Sequence, residues 1–274
     1  MTKNQILVPT NFSRQAEIAF KQSVFFSSKV KSDVFVLHII PSLKKIDNNS
    51  NAIEIIQNRM DNLINPMVPL INGKINTRIE TGKIITQILK TEREIKPSYI
   101  FIGTDIGSKP NSSTTLRILN HVDCPLVVFT NRSDKTGCDK IVLPLDLTKE
   151  TKQKIDQTIK IAKIYNSEVH IVSATSFEDE KMCDTIKEQM NQVKSIFNKL
   201  ELKSQIKLLK TKNDIDIMAN EINDYADDIN ADLIVIMTRQ ETKLQKFFVG
   251  SMAIKLIRKS TVPIMCIIPK ITNN

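Results

Sequence analysis

The sequence predicts an α/β fold built on parallel sheets, occurring twice, and three observations carry this reading. First, the chain repeats itself. "KNQILVPTNFSRQAEIAFKQSVFFSSKVKSDVFVLHII" (residues 3–40) is echoed by "CDKIVLPLDLTKETKQKIDQTIKIAKIYNSEVHIVSA" (residues 138–174), and Ile6 matches Ile141 at an offset of 135. "SYIFIG" (98–103) matches "DLIVIM" (232–237) at 134, and "CPLVVF" (124–129) matches "VPIMCI" (262–267) at 138. Second, the strand segments are apolar throughout rather than alternating, so both faces of their sheets should be covered. Third, strands alternate with helical stretches, the pattern of parallel sheets joined by right-handed crossovers.

The elements follow in order. In the first half, apolar strands are expected near Ile6–Pro9, Val34–Ile40, Ile75–Glu80, Tyr99–Ile102 and Leu126–Phe129. Amphipathic helices are expected over Arg14–Ser28, Ala52–Ile64, Ile84–Ile95 and Thr114–His121. In the second half, strands are expected near Ile141–Leu145, Glu168–Ala174, Gln205–Lys210, Leu233–Met237 and Ile264–Ile268. Helices are expected over Glu150–Tyr165, Asp179–Leu200, Ile215–Ile229 and Ser251–Arg258. The polar, glycine-containing run "TNRSDKTGCDK" (130–140) reads as the linker, giving domains 1–135 and 136–274. The jump in offset from 134 to 138 places a four-residue difference between the fourth and fifth strands.

Composition excludes several classes. The chain has 274 residues, 41% of them hydrophobic and 25% charged, the balance of a packed globular protein. No apolar run approaches the length that spans a bilayer. "MTKNQILVPTNFS" lacks the apolar stretch of a signal peptide, so a cytoplasmic location is expected. The net charge of +9 divides into +7 over residues 1–133 and +2 over the remainder. Its lysines are dispersed among Asn and Ile without aromatic interleaving, which reads as solvated faces rather than a nucleic-acid surface. The four cysteines show no CxxC, and His38, His121 and His170 lie far apart, so no metal site is expected. Cys124 and Cys266, at or inside apolar strands, read as small hydrophobes. No Ser/His/Asp or Cys/His arrangement emerges, and the chain reads as non-catalytic.

In a parallel sheet of this kind ligands bind beyond the strand carboxyl ends, at the switch point. The turns after the first and fourth strands therefore matter most. They are Pro9-Thr10-Asn11 and "GTDIGSKPNSST" (103–114) in the first half, and Pro144-Leu145-Asp146 and "MTRQETKLQKFFVGS" (237–251) in the second. These residues resemble the universal stress protein family. Its first strand typically ends in V-P-x-D-[FG]-S, and its nucleotide-binding members carry G-x2-G-x9-G-[ST] after the fourth. The resemblance covers nearly the whole chain twice. It implies tandem five-stranded parallel-sheet domains of the Rossmann-like, adenine nucleotide alpha hydrolase-like type. It also implies that the domains pair as a pseudo-dimer through strands Leu126–Phe129 and Ile264–Ile268, and it leaves room for a homodimer.

Carried over residue by residue, the motif is uneven. In the second half Met237 and Gln240 stand at the early glycines with the spacing intact, and Gly250-Ser251 retains the late pair, followed by Met252. Asp146, after Leu145, stands where the family's aspartate meets the nucleoside, and Ala174 where backbone meets the base. A glycine lets backbone approach a polyphosphate closely. Arg239, Lys243 and Lys246 could replace part of that contact with charge. In the first half Gly103 matches the first glycine, but Ile106 replaces the second, Ser112-Ser113 replaces the Gly-Ser pair, and the loop is four residues shorter. Asn11 stands in place of the aspartate, and Ile39 at the position of Ala174.

The resemblance therefore implies a stress-response module that binds ATP or another adenine nucleotide in its second domain only. The alternative is an interaction scaffold of the same fold that works without nucleotide. A nucleotidyl-transferring enzyme of a related fold ranks last, because "PTNFS" and "PLDLT" lack a glycine-rich pyrophosphate loop after the first strand.

Overall fold

The computed structural model describes residues 4–41, 52–104, 114–130, 135–145, 151–175, 180–212, 214–238 and 250–269. Among the described residues no helix is long and apolar enough to cross a membrane. They fall into two compact units, the first ending at Thr136 and the second beginning at Gly137.

The first unit runs β1 (Gln5–Thr10), α1 (Arg14–Val30), β2 (Asp33–Ile40), α2 (Ala52–Ile64), β3 (Ile75–Thr81), α3 (Ile84–Ile95), β4 (Tyr99–Gly103), α4 (Thr114–Leu119) and β5 (Leu126–Phe129). All strand pairs are parallel, in the order β3-β2-β1-β4-β5. Strands β1, β2, β4 and β5 are buried almost throughout, which is why they read as unbroken apolar runs. Strand β3, at one end of this order, is half-exposed. It carries Arg78, whose guanidinium bonds Glu94 at 2.6 Å and lies over the Phe35 ring at 5.0 Å. A charged side chain of this kind keeps other chains from pairing with an edge.

Local chemistry fixes the helix ends. Ser13 Oγ accepts from the Ala16 N–H and starts α1. Lys31 and Lys96 end α1 and α3 in the left-handed region, at φ 52° and 45°. Inside α1, buried Ser23 and Ser27 turn their hydroxyls back onto the carbonyls of Phe20 and Val24, so neither is left unsatisfied. A 3-10 helix (Asn65–Leu70), not expected from the sequence, extends α2. Pro66 and Pro69 lack the N–H that an α-helix needs and leave only the tighter turn.

The second unit repeats the plan: β6 (Lys140–Pro144), α5 (Thr151–Tyr165), β7 (Glu168–Thr175), α6 (Glu180–Lys199), β8 (Ser204–Lys210), α7 (Ile215–Asp228), β9 (Leu233–Met237), α8 (Ser251–Lys259) and β10 (Ile264–Ile267). Its strands are parallel in the order β10-β9-β6-β7-β8. Asp214 starts α7, its Oδ1 accepting from the N–H groups of Asp216 and Ile217. Asn166, Glu201 and Asn230, just past α5, α6 and α7, are left-handed at φ 57°, 56° and 53°. The run read as a linker is partly folded. Lys135 O accepts from Gln22 Nε2 at 2.7 Å, Cys138 is buried, and Lys140 opens β6.

One polar cluster joins β7, β8 and α7, with His170 buried and Gln205 exposed. His170 on β7 is 3% exposed, and its Nδ1 lies 2.8 Å from the Tyr225 hydroxyl on α7. Its Nε2 lies 3.2 Å from Gln205 Nε2, which also donates to Glu168 Oε1 at 3.1 Å. The Glu168 carboxylate fixes the amide's NH2 on this side, so His170 Nε2 accepts and Nδ1–H donates to Tyr225. This arrangement favours the neutral ring, while Glu168 Oε2, 3.7 Å from Nε2, favours the protonated one. Burial holds its pKa below the usual value; Glu168 opposes the shift and Lys140 adds to it. Stability from this neutral ring is present above the unfolded pKa of about 6.5 and is lost as pH falls through the folded value. The urea midpoint should therefore drop more between pH 7.5 and 5.5 in the parent than in His170→Gln. The difference is at most about 1.4 kcal/mol per pH unit, the limit for one proton. Parallel pH profiles for the two proteins would refute this.

Candidate functional site

Each unit has its switch point between the strands that carry the chain in opposite directions across the sheet. In the first unit, β1 and β4 share only the pairs Ile6–Tyr99 and Leu7–Ile100. In the second, β6 and β9 share only Ile141–Leu233 and Val142–Ile234. Beyond these pairs the strands part toward their carboxyl ends. That divergence is where a parallel sheet offers a ligand crevice.

In the second unit, β6 stays with β7 to its end. The Leu145 N–H donates to Val172 O at 2.7 Å, and Leu145 O accepts from Ser173 Oγ at 3.1 Å. Leu145 is buried, and Ala174, one residue before the end of β7, is half-buried. Met237 closes β9 and is half-buried. After it, buried Thr238 accepts the Gly250 N–H at 2.7 Å and donates its own N–H to Ile267 O at 3.0 Å. These bonds pin the start of α8 to the ends of β9 and β10. Leu145, Ala174, Met237 and Gly250 thus share the carboxyl edge of one sheet. Asp146, Arg239, Gln240, Lys243 and Lys246 lie outside the described residues.

Gly250 is the N-cap of α8, at φ −60° and ψ 149°, and among the described residues no side chain caps the helix. The first helical bond runs from Ile254 N–H to Gly250 O at 3.0 Å. The N–H groups of Ser251, Met252 and Ala253 precede it, so they carry the partial positive charge of a helix start. Ser251 is exposed and Met252 half-buried. Among the described residues a Cβ built on Gly250 would meet only Thr238 O, at 3.7 Å, and its backbone conformation does not demand glycine. Lys255, bonded to Asp216 at 2.6 Å, and Lys259, bonded to Asn220 at 2.8 Å, fix α8 along α7. The Lys255 bond holds the Asp216 carboxyl below its usual range.

Sequence reading overlooked Lys154. It is 5% exposed, and its ammonium donates to Pro144 O, the last residue of β6, at 2.6 Å. The signal was present: with Thr158, Ile161 and Ala162 it forms the buried stripe of α5 at helical spacing.

The first unit presents a different edge. Asn11 is exposed, and its Oδ1 accepts the Ser13 N–H at 3.0 Å, closing a turn on itself. Phe12 lies at φ 60°, its ring 4.7 Å from that of His38 and beneath Arg59 at 5.4 Å. His38 Nδ1 bonds Thr10 O at 2.9 Å, so that nitrogen carries a proton. Burial holds the His38 pKa below its usual value; the Thr10 carbonyl opposes this and Arg59 adds to it. Ile39 is buried. Gly103 is hemmed in by α1: a Cβ there would lie 2.3 Å from Gln15 C and 2.4 Å from Ala16 N. This glycine lets the helix sit on the end of β4. No helix can approach Met237 of β9 so closely. Ile106, Ser112 and Ser113 lie outside the described residues.

A doubly wound parallel domain, with a helix start at its switch point that no described side chain caps, defines the class. Residues 137–267 match the model of the universal stress protein family. The matched residues lie in the second unit, which is a domain of that family. An alignment of 142 residues, 47% of this chain, is 27% identical to a universal stress protein of Methanocaldococcus jannaschii and covers 81% of that protein. In fold, the chain is similar to a universal stress protein of Archaeoglobus fulgidus DSM 4304, with a TM-score of 0.70 and 16% identity over 97% of this chain and 96% of the other. It is also similar to a functionally unknown protein of Pseudomonas aeruginosa PAO1, with a TM-score of 0.65 and 13% identity over 97% and 93% of the two chains.

Proposed function

We propose that this chain is a non-catalytic, cytoplasmic stress-response module whose second domain binds an adenine nucleotide. The phosphates lie at Gly250-Ser251 and the nucleoside lies near Asp146 and Ala174. The observation that carries the reading is the start of α8 at the switch point, without a capping side chain among the described residues and opened by a glycine that those residues leave room around. The family's spacing between Met237 and Gly250-Ser251 supports it. The absence of both early glycines argues for few phosphate contacts and modest affinity. All four cysteines are buried thiols outside disulfides, which suits a reducing compartment.

Thermal unfolding with ATP and ADP tests the proposal. Nucleotide at ten times its Kd should stabilise the second domain by about 1.4 kcal/mol, a rise of roughly 3 to 6 °C. Gly250→Val should fold, since the described residues leave room and φ is ordinary, and should lose the shift because its branched side chain stands where phosphate approaches. Asn11→Ala, in the first domain, should keep the shift. A parent without any shift at saturating nucleotide would leave the scaffold reading in its place. A shift lost in Asn11→Ala alone would move the site to the first domain.

A further inference from the structure

We propose that the first domain binds a small uncharged aromatic ligand with an amide edge between α3 and the outer strands of its sheet. The site is independent of the nucleotide reading above. A cavity of about 550 Å³ lies there, within the range of roughly 300–1,000 Å³ usual for ligand sites. Gln5 of β1, Phe35 of β2, Asn76 and Arg78 of β3, and Glu94 and Ile95 of α3 line it. Gln5 Oε1 is buried and has no hydrogen-bond partner among the described residues. Folded proteins leave few buried acceptors unpaired, so this oxygen calls for a donor from outside the protein.

The second unit fills the equivalent ground with its own side chains. Gln5 pairs with Asp33 as Lys140 does with Glu168, and Phe35 pairs with Asn76 as His170 does with Gln205. Left-handed Lys96 and Asn230 follow α3 and α7, which sets Ile95 against Ile229 and Thr91 against Tyr225. In the second unit Lys140 Nζ donates to Ile229 O at 2.9 Å, and the Tyr225 hydroxyl meets His170 Nδ1 at 2.8 Å. A ring with a polar edge thus belongs to that unit's own chain, its centroid 5.9 Å from that of His170. In the first unit Gln5 makes no such bond and Thr91 brings no ring. The ligand class follows from what lines the cavity. Arg78 and Glu94 meet at 2.6 Å and cancel, while Glu80 and Lys90, each 3.9 Å from one of them, add one charge of each sign. An uncharged ligand suits such a lining. Arg78 lies over the Phe35 ring at 5.0 Å, a stack that a further ring extends. Gln5 and Asn76 each carry a donor beside an acceptor, and their complement is a carboxamide or the matching edge of a pyrimidine base.

NMR titration of the full chain with benzamide, uracil and benzoate tests the proposal through the side-chain amide signals of Gln5 and Asn76. Their assignment comes from Gln5→Leu and Asn76→Leu. Benzamide or uracil should shift both signals saturably, and the tighter of the two identifies a carboxamide or a base as the ligand. Benzoate, which matches benzamide in shape but carries charge and no donor, should bind at least about tenfold more weakly. Gln5→Leu should lose at least about tenfold in affinity for the tighter probe. Gln5→Lys, which copies the second unit, should abolish binding and raise the first domain's urea midpoint. No saturable shift up to the solubility of either probe would mean that the cavity holds water only. Benzoate binding as tightly as benzamide would make it an anion site at Arg78, and undiminished binding in Gln5→Leu would remove the amide from recognition. Each of these three results overturns the proposal. If neither Gln5 variant folds, the parent's ratio of benzamide to benzoate affinity decides.

Discussion

Gly103→Ala is expected to destabilise the first domain by upwards of about 3 kcal/mol, a large part of the 5–15 kcal/mol that holds a typical domain. The added methyl would lie 2.3 Å from Gln15 C, 2.4 Å from Ala16 N and 2.4 Å from Gln15 O. These are backbone atoms in the first turn of a 17-residue helix, so no rotamer change relieves the contact. Either α1 lifts from β4 or the strand end bends. Both break the packing of Phe26 against Phe101, whose ring centroids are 5.7 Å apart. Gly250→Ala is the matched comparison. Its methyl meets Thr238 O at 3.7 Å, and the loss of a favourable cap residue costs less than about 1 kcal/mol. Urea unfolding of both variants decides the matter. A midpoint for Gly103→Ala within 0.5 kcal/mol (roughly the scatter of surface substitutions) would mean that α1 yields freely.

Phe197→Ala should cost the second domain about 3–5 kcal/mol, the range for deleting a fully buried aromatic ring. Helix α6 buries Cys183, Ile186, Met190, Val193 and Phe197, spaced three and four residues apart along one face. Phe197 has no exposed surface, and its carbonyl takes the N–H groups of Leu200 and Leu202, both at 3.0 Å, where the helix turns toward β8. Ile196, its immediate neighbour, is 41% exposed. Ile196→Ala should change stability by less than about 0.5 kcal/mol. Similar effects from the two substitutions would refute the assignment of the buried face.

The inner strands were legible because burial on both faces leaves unbroken apolar runs, unlike the half-exposed β3 and β8, and the repeat was legible because equivalent strands keep their spacing. The 3-10 helix was not, since Asn65–Leu70 has neither a helical nor a strand period. Lys154 was readable in principle: helical spacing places it on the stripe with Thr158 and Ile161, yet a lysine among lysines reads as a solvated face. The His170 cluster was beyond sequence reading, because it depends on the register pairing His170 with Gln205 and on the docking of α7 that delivers Tyr225. Gly103 shows a different limit. A motif match assigns it to a phosphate loop, whereas the structure gives it a packing reason, and one letter cannot distinguish the two.

The left-handed helix ends bear on how the phosphate loop is read. Lys31, Lys96, Asn166, Glu201 and Asn230 hold positions where glycine is the least strained residue. The whole chain has six glycines in 274 residues, well below the ordinary share of about 7%. This protein dispenses with glycine even where no ligand is involved and the backbone would favour it. Met237 and Gln240 belong to the same economy. A missing glycine is therefore weaker testimony to an abandoned binding site in this chain than in one of average composition. Retained glycines gain meaning by the same reasoning. Gly250 persists in a glycine-poor chain at a position where the described residues would accept another side chain, and so speaks for a ligand more strongly than the motif alone.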